Sequence, residues 1–206
     1  MADVGNCTVI YNEVPSVAKD EMFMEDLEKR KLFLDGEIDE ETFRQIGYYI
    51  LKINEEDKSI PAEKRKPIKL YVSCYGGSVI AGLTLINIIK SSITPVYTIV
   101  IGQAYSMAFY IGIIGTKRFA FPDSTYLIHD GGLGIQTSTS KVRDYVAFDD
   151  QINKKLQALV AEYTNLTTDE LEEKSRIEWY LFADEAKEKG IVDCIIGEDC
   201  TLEEVF

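Results

Sequence analysis

The stretch Val96-Tyr-Thr-Ile-Val-Ile-Gly-Gln-Ala-Tyr-Ser-Met-Ala-Phe-Tyr-Ile-Gly-Ile-Ile114 decides the fold. From Tyr97 to Thr116 it carries no charged side chain and is long enough to span a bilayer. Its make-up is not that of one uniform span. Val96 to Ile101 is rich in β-branched residues and reads as a strand. Gly102 and Gln103 break it, and Ser106 to Ile114 fits a short buried helix. A buried strand followed by a buried helix gives the same hydropathy as a membrane span. A globular core with no membrane segment is expected, with Ser106 between strand and helix.

Working outward, the same unit recurs. Pro67-Ile-Lys-Leu-Tyr-Val72 reads as a strand that runs into Gly76-Gly77. A helix from about Ser78 to Ser91 follows, with Ile80, Leu83, Leu85, Ile86 and Ile89 as apolar residues. Before it, Lys31-Leu-Phe-Leu34 is a strand ended by Asp35-Gly36. Asp39 caps a helix to about Leu51, and Asn54 to Lys66 is a polar loop. After it, Arg118-Phe-Ala-Phe121 and Tyr126-Leu-Ile-His129 flank a Pro122-Asp123-Ser124 turn. A glycine-rich segment, Gly131 to Gly134, leads to a long helix from about Lys141 to Tyr163. Thr167-Thr-Asp-Glu170 is a capping box. A short helix, Asp184 to Lys189, stops at Gly190, and Ile191 to Ile196 closes as a strand. Strands alternating with helices over short loops predict an α/β fold with a largely parallel sheet.

The 206 residues carry a formal net charge of -13. Such a chain repels phosphate backbones, so no nucleic-acid partner is expected. Cys7, Cys74, Cys194 and Cys200 show no zinc-like spacing, and the single histidine cannot complete a metal cluster. No metal and no cofactor are expected. Four cysteines in so long a chain predict no disulfide framework and a reducing, cytoplasmic setting. The start, MADVGNCTVIYNEVP, lacks a signal-like pattern.

Three features point to chemistry. His129 ends an apolar strand beside flexible backbone, where clefts are built; a lone histidine is more commonly structural. Ser106 opens a helix, and its bland reading is an N-cap. In the functional reading, the unpaired Met107 amide at that helix start stabilises the oxyanion formed when Ser106 attacks a carbonyl. Gly76-Gly77 is either a turn or a place where a ligand approaches the backbone closely and finds a second N–H. The serine segment lacks the G-x-S-x-G elbow.

At these residues a family resemblance emerges. Tyr71-Val-Ser-Cys-Tyr-Gly-Gly-Ser-Val-Ile-Ala-Gly82, Ile101-Gly-Gln-Ala-Tyr-Ser-Met-Ala108, Lys117 to His129, and Glu185-Ala-Lys-Glu-Lys-Gly-Ile-Val-Asp193 resemble, in order, the segments of the Clp protease proteolytic subunit. The similarity covers about Arg30 to Ile196. It implies the ClpP/crotonase-like fold, with repeated β-β-α units and a projecting handle helix. Residues 30–206 would form the peptidase domain, with a handle at about 131–165, after a divergent N-terminal segment, 1–29. It implies Ser106 as nucleophile, His129 as base, and Gly77 and Met107 as the oxyanion hole. Substrate would bind as an added strand along Ser78 and Val79 on one side and Gly132 and Leu133 on the other. A double heptameric ring fed by an AAA+ unfoldase is the implied assembly.

The family usually places Asp where Glu178 stands; Asp130, Asp144 and Asp184 are the alternatives as third triad member. Tyr75 replaces a proline, Asp130-Gly131 replaces Gln-Pro, Ile177 replaces an arginine, and Lys69 and Ser91 replace aromatic residues of the unfoldase-docking pocket. These departures mark a divergent member. They leave open a non-catalytic ring or scaffold subunit and a phage-type maturation protease. An acyl-CoA enzyme of the crotonase fold is argued against by the serine–histidine pair.

Overall fold

A computed structural model of the chain describes residues 16–205 except 133, 135 and 175. In chain order the elements are α1 (Ser16–Glu28), β1 (Lys31–Leu34), α2 (Glu40–Thr42), a π-helical turn (Phe43–Gly47), α3 (Tyr48–Asp57), β2 (Ile68–Cys74), α4 (Val79–Lys90) and β3 (Val96–Tyr105). Then come α5 (Met107–Ile113), β4 (Lys117–Ala120), β5 (Thr125–Ile128), α6 (Thr139–Tyr163), α7 (Thr168–Lys174), β6 (Trp179–Phe182), α8 (Ala183–Glu188), β7 (Cys194–Ile195) and α9 (Leu202–Val205).

The sheet runs β1-β2-β3-β4-β7 with every neighbouring pair parallel. β3 serves two layers. Its first half, Tyr97 to Val100, pairs with β4, and its second half, Gln103 to Tyr105, pairs with β5. β5 then pairs antiparallel with β6. This mixed α/β architecture with a mainly parallel sheet is the expected one.

Several boundaries differ from the sequence expectation; the closing strand, expected over Ile191 to Ile196, is confined to Cys194–Ile195. Gly102 and Gln103 do not end β3; Val72 pairs with Val100 but Cys74 with Ala104, so the irregularity is absorbed as a bulge within the strand. α3 continues past Leu51 to Asp57 because its polar residues find partners. Asn54 Nδ2 donates to Ile50 O at 2.6 Å, and Ile93 N donates to Asn54 Oδ1 at 2.6 Å. Residues 16–28, left unassigned in the divergent N-terminal segment, form α1.

The main core joins α3, α4, α5 and the sheet through residues such as Ile50, Leu70, Leu85, Ile86 and Phe109. A smaller cluster, Tyr71, Ile99, Phe119, Ile196 and Val205, includes α9 through Val205. One disulfide, Cys194–Cys200, forms against expectation. It is a local clasp that closes the chain just before α9, possible because β7 and the following turn bring the two Cα atoms to 6.4 Å.

α6 is only half packed. Leu156, Leu159 and Val160 are buried in its second half, whereas Tyr145, Val146 and Phe148 in its first half are exposed.

A buried ion pair ties the strand starts together. Arg30 donates to both Asp57 oxygens at 2.7 Å, Thr94 Oγ1 donates to Asp57 Oδ2 at 2.7 Å, and the Asp57 side chain is wholly buried. The Arg30 hydrogen bond, outweighing burial and aided by Thr94, holds the Asp57 acid below its ordinary value. A depressed carboxylate stabilises the fold above its unfolded pKa, and that contribution is lost as pH falls through the lower folded value. Asp57→Asn is therefore expected to cost about 3 kcal/mol at neutral pH. In urea titrations the wild type's advantage should begin to shrink below about pH 4 and vanish only once pH is below the lowered folded value, where the two proteins converge.

Candidate active site

β3 delivers Ser106 at its end, and α5 begins at the next residue. Ser106 has φ 52° and ψ −122°, a conformation that costs a non-glycine residue roughly 1–3 kcal/mol. Its side chain makes no capping hydrogen bond, so the bland N-cap reading does not describe it. Two contacts hold the turn. Ser106 N donates to Leu127 O at 3.0 Å, tying it to β5 two residues before His129. On the other side lies Gly76, with φ 103°; a Cβ there would sit 2.8 Å from Tyr105 O, 2.9 Å from Ser106 Cβ and 3.0 Å from Met107 N. Only a glycine lets the loop pass this close.

Gly77, with φ 149°, is pressed against the opposite neighbour: a Cβ would lie 2.3 Å from Ile38 O. Ile38 N donates to Gly76 O at 2.9 Å, and Ile38 O accepts from Ser78 N at 2.7 Å. In this parallel bridge the Gly76 and Ser78 groups face Ile38, so the Gly77 N–H and C=O face the other way. Met107 N–H belongs to the first turn of α5, where amides lack an i−4 acceptor. The two expected oxyanion donors thus come from neighbouring segments, the glycine pair passing close to the start of α5 at Gly76. Ser78 caps α4, accepting from Ala81 N at 3.3 Å.

His129 follows β5, and its ring is three-quarters buried. Nδ1 and Glu178 Oε1 lie 3.0 Å apart. Nε2 is buried and has no hydrogen-bond partner among the described residues. Of the four candidate carboxylates, Glu178 is the one that meets His129 Nδ1, and Asp184 instead accepts from Glu185 N at 2.9 Å. The extra methylene of Glu178 is accommodated because it sits just before β6, whose first residue, Trp179, pairs with Ile128.

Ser106 and His129 line one small pocket with Val79, Met107, Tyr110, Asn153, Leu156, Gln157, Val160 and Leu171. Burial, followed by the nearby charge of Asp130, raises the Tyr110 phenol to about 12, so Tyr110 is a neutral part of a wall that also includes Asp130. Gly131 also lines the pocket, whereas Gly132 is exposed and Leu133 lies outside the described residues. No cluster of His, Cys, Asp and Glu able to hold a metal occurs among the described residues. No helix among them is long and apolar enough to cross a membrane.

The sequence missed two features. The backward turn at Ser106 had only one signal, a serine between strand and helix, because no glycine motif surrounds it. Tyr180, whose hydroxyl donates to Glu178 Oε2 at 3.2 Å, gave none.

The site thus brings together a largely buried imidazole in contact with a carboxylate, a serine on a strained strand-to-helix turn, and two backbone amides near that turn. The Clp protease family model matches residues 17–199 of the chain. The chain belongs to the Clp protease family, whose members are peptidases.

The glycine pair gives a direct check on this geometry. Gly77→Ala is expected to destabilise by roughly 2 kcal/mol or more, because the clash is with backbone. Gly36→Ala, where a Cβ would meet nothing within 4 Å, should stay within about 0.5 kcal/mol of wild type. Denaturant midpoints read both.

Proposed function

We propose that this chain is a serine endopeptidase subunit that hydrolyses unfolded polypeptide. The observation that carries the reading is the His129 imidazole, which lies 3.0 Å from Glu178 on one side and shares one pocket with the backward-turned Ser106.

In the proposed reaction the Ser106 hydroxyl attacks the peptide carbonyl as His129 Nε2 takes its proton. Glu178 holds Nδ1–H and balances the imidazolium. The Gly77 and Met107 amides receive the oxyanion. The imidazolium then protonates the leaving amine, an acyl-Ser106 remains, and water activated by His129 releases it. Substrate would lie extended against the free edge of Gly77 to Val79, with Gly132 and Leu133 on its far side. Backbone pairing of this kind tolerates many sequences.

The exposed apolar half of α6 supports assembly through the handle, and a double heptameric ring is the assembly we propose. An AAA+ unfoldase is the proposed feeder, with Lys69 and Ser91 altering the docking surface. A cytoplasmic setting completes the proposal; the Cys194–Cys200 disulfide weighs against a strictly reducing compartment. A non-catalytic ring subunit is the competing function, favoured by the unengaged His129 Nε2.

Fluorophosphonate labelling decides between them. The assembled protein should label at Ser106, and Ser106→Ala should lower peptide hydrolysis by roughly 10⁴-fold or more. No label at Ser106, or hydrolysis that survives Ser106→Ala, would leave the non-catalytic reading. The pocket walls also set a preference. Val79, Leu156, Val160 and Leu171 beside Asp130 favour an apolar side chain before the cut bond. Peptides with Leu there should exceed those with Asp in kcat/KM by at least about tenfold.

A further inference from the structure

Glu178 has one more rotatable bond than the aspartate usual at this position, and its side chain is 57% exposed. Packing does not hold it, and an acid that wanders orients His129 only part of the time. Its two oxygens have different partners. Oε1 pairs with His129 Nδ1 at 3.0 Å, and Oε2 accepts from the Tyr180 hydroxyl at 3.2 Å.

Tyr180 is itself held. Strand register places Tyr105 of β3 beside Leu127 of β5, and Leu127 opposite Tyr180 of β6. The three form one row across the sheet. The two tyrosine rings meet edge to face, with centroids 5.7 Å apart and planes at 79°. Tyr105 is fixed in turn by a 2.8 Å hydrogen bond between its hydroxyl and Thr125 Oγ1, and by the Tyr75 ring 5.7 Å away. Such edge-to-face contacts are favourable and directional. The row ends with the Tyr180 hydroxyl on the carboxylate.

We infer that Tyr180 is a positioning residue for the triad acid, its hydroxyl fixing one oxygen of Glu178 so that the other stays on His129. A hydrogen bond to an ionised acceptor is stronger than a neutral one, and its two-point hold offsets the added freedom of the longer side chain. Desolvation, then the hydrogen bond and charge of Glu178, raise the Tyr180 phenol above its ordinary value, so it remains a donor through the neutral range. The inference rests on Glu178 being the triad acid, as proposed above.

Tyr180→Phe keeps the ring and its place in the row and removes only the hydroxyl. In the assembled protein kcat should fall about fivefold with KM unchanged, because the substrate is not touched. A second readout does not need turnover. His129 is the only histidine in the chain, so its Nδ1–H gives one proton resonance. That resonance should broaden in Tyr180→Phe as water gains access to the loosened pair. In a Glu178→Gln background the added Tyr180→Phe should change neither readout. Unchanged kcat and resonance in Tyr180→Phe, or the same fivefold loss in the Glu178→Gln background, would overturn the inference. If Glu178→Gln slows hydrolysis while Tyr180→Phe does not, only this inference falls. If Ser106 does not label, or Glu178→Gln has no effect, the proposed triad falls and this inference with it.

Discussion

The site depends on one close contact: the Gly76-Gly77 backbone pressed between the Ser106 turn on one side and Ile38 on the other. Neither glycine can carry a side chain there, and both have positive φ. The contact sets the distance between the glycine loop and the start of α5. It therefore fixes where two amide donors point. The strain at Ser106 persists because the surroundings over-determine it: β3 leads in, α5 leads out, and Leu127 O holds the Ser106 amide.

That same Leu127 bond places the histidine. β5 runs parallel to the second half of β3, so fixing Ser106 to Leu127 fixes the strand that ends one residue before His129. β6 then adds antiparallel to β5 and carries Glu178 to the imidazole from the far side. Ser106, His129 and Glu178 thus sit at three neighbouring strand ends, and their relative positions are those of a hydrogen-bonded sheet. The aromatic row of Tyr105 and Tyr180 over Leu127 adds a side-chain brace at the one member, Glu178, that the backbone leaves exposed.

Away from the site, the Cys194–Cys200 clasp and Val205 of α9 close over the aromatic cluster of Tyr71 and Phe119, on a sheet face apart from the main core. The first half of α6 does the reverse and leaves apolar side chains uncovered. The burial of one apolar surface and the exposure of the other are separate properties of this chain.

Much of this was written in the sequence. Local patterning placed β1 within Lys31 to Leu34, the α4 helix after the glycine pair, the long helix, and the strand–serine–helix succession at Ser106, because period and turn chemistry act over a few residues. The family motifs pointed to Ser106, His129 and the glycine pair. Tertiary structure decided the rest. Which of four carboxylates meets His129 depends on β6 pairing with β5, a contact across 49 residues that no local pattern encodes. The continuation of α3 to Asp57 needed the distant partners Arg30 and Thr94. The Cys194–Cys200 bond depended on a turn geometry that spacing alone does not reveal. Local signals fix what each segment forms; only pairing between segments fixes which side chains meet.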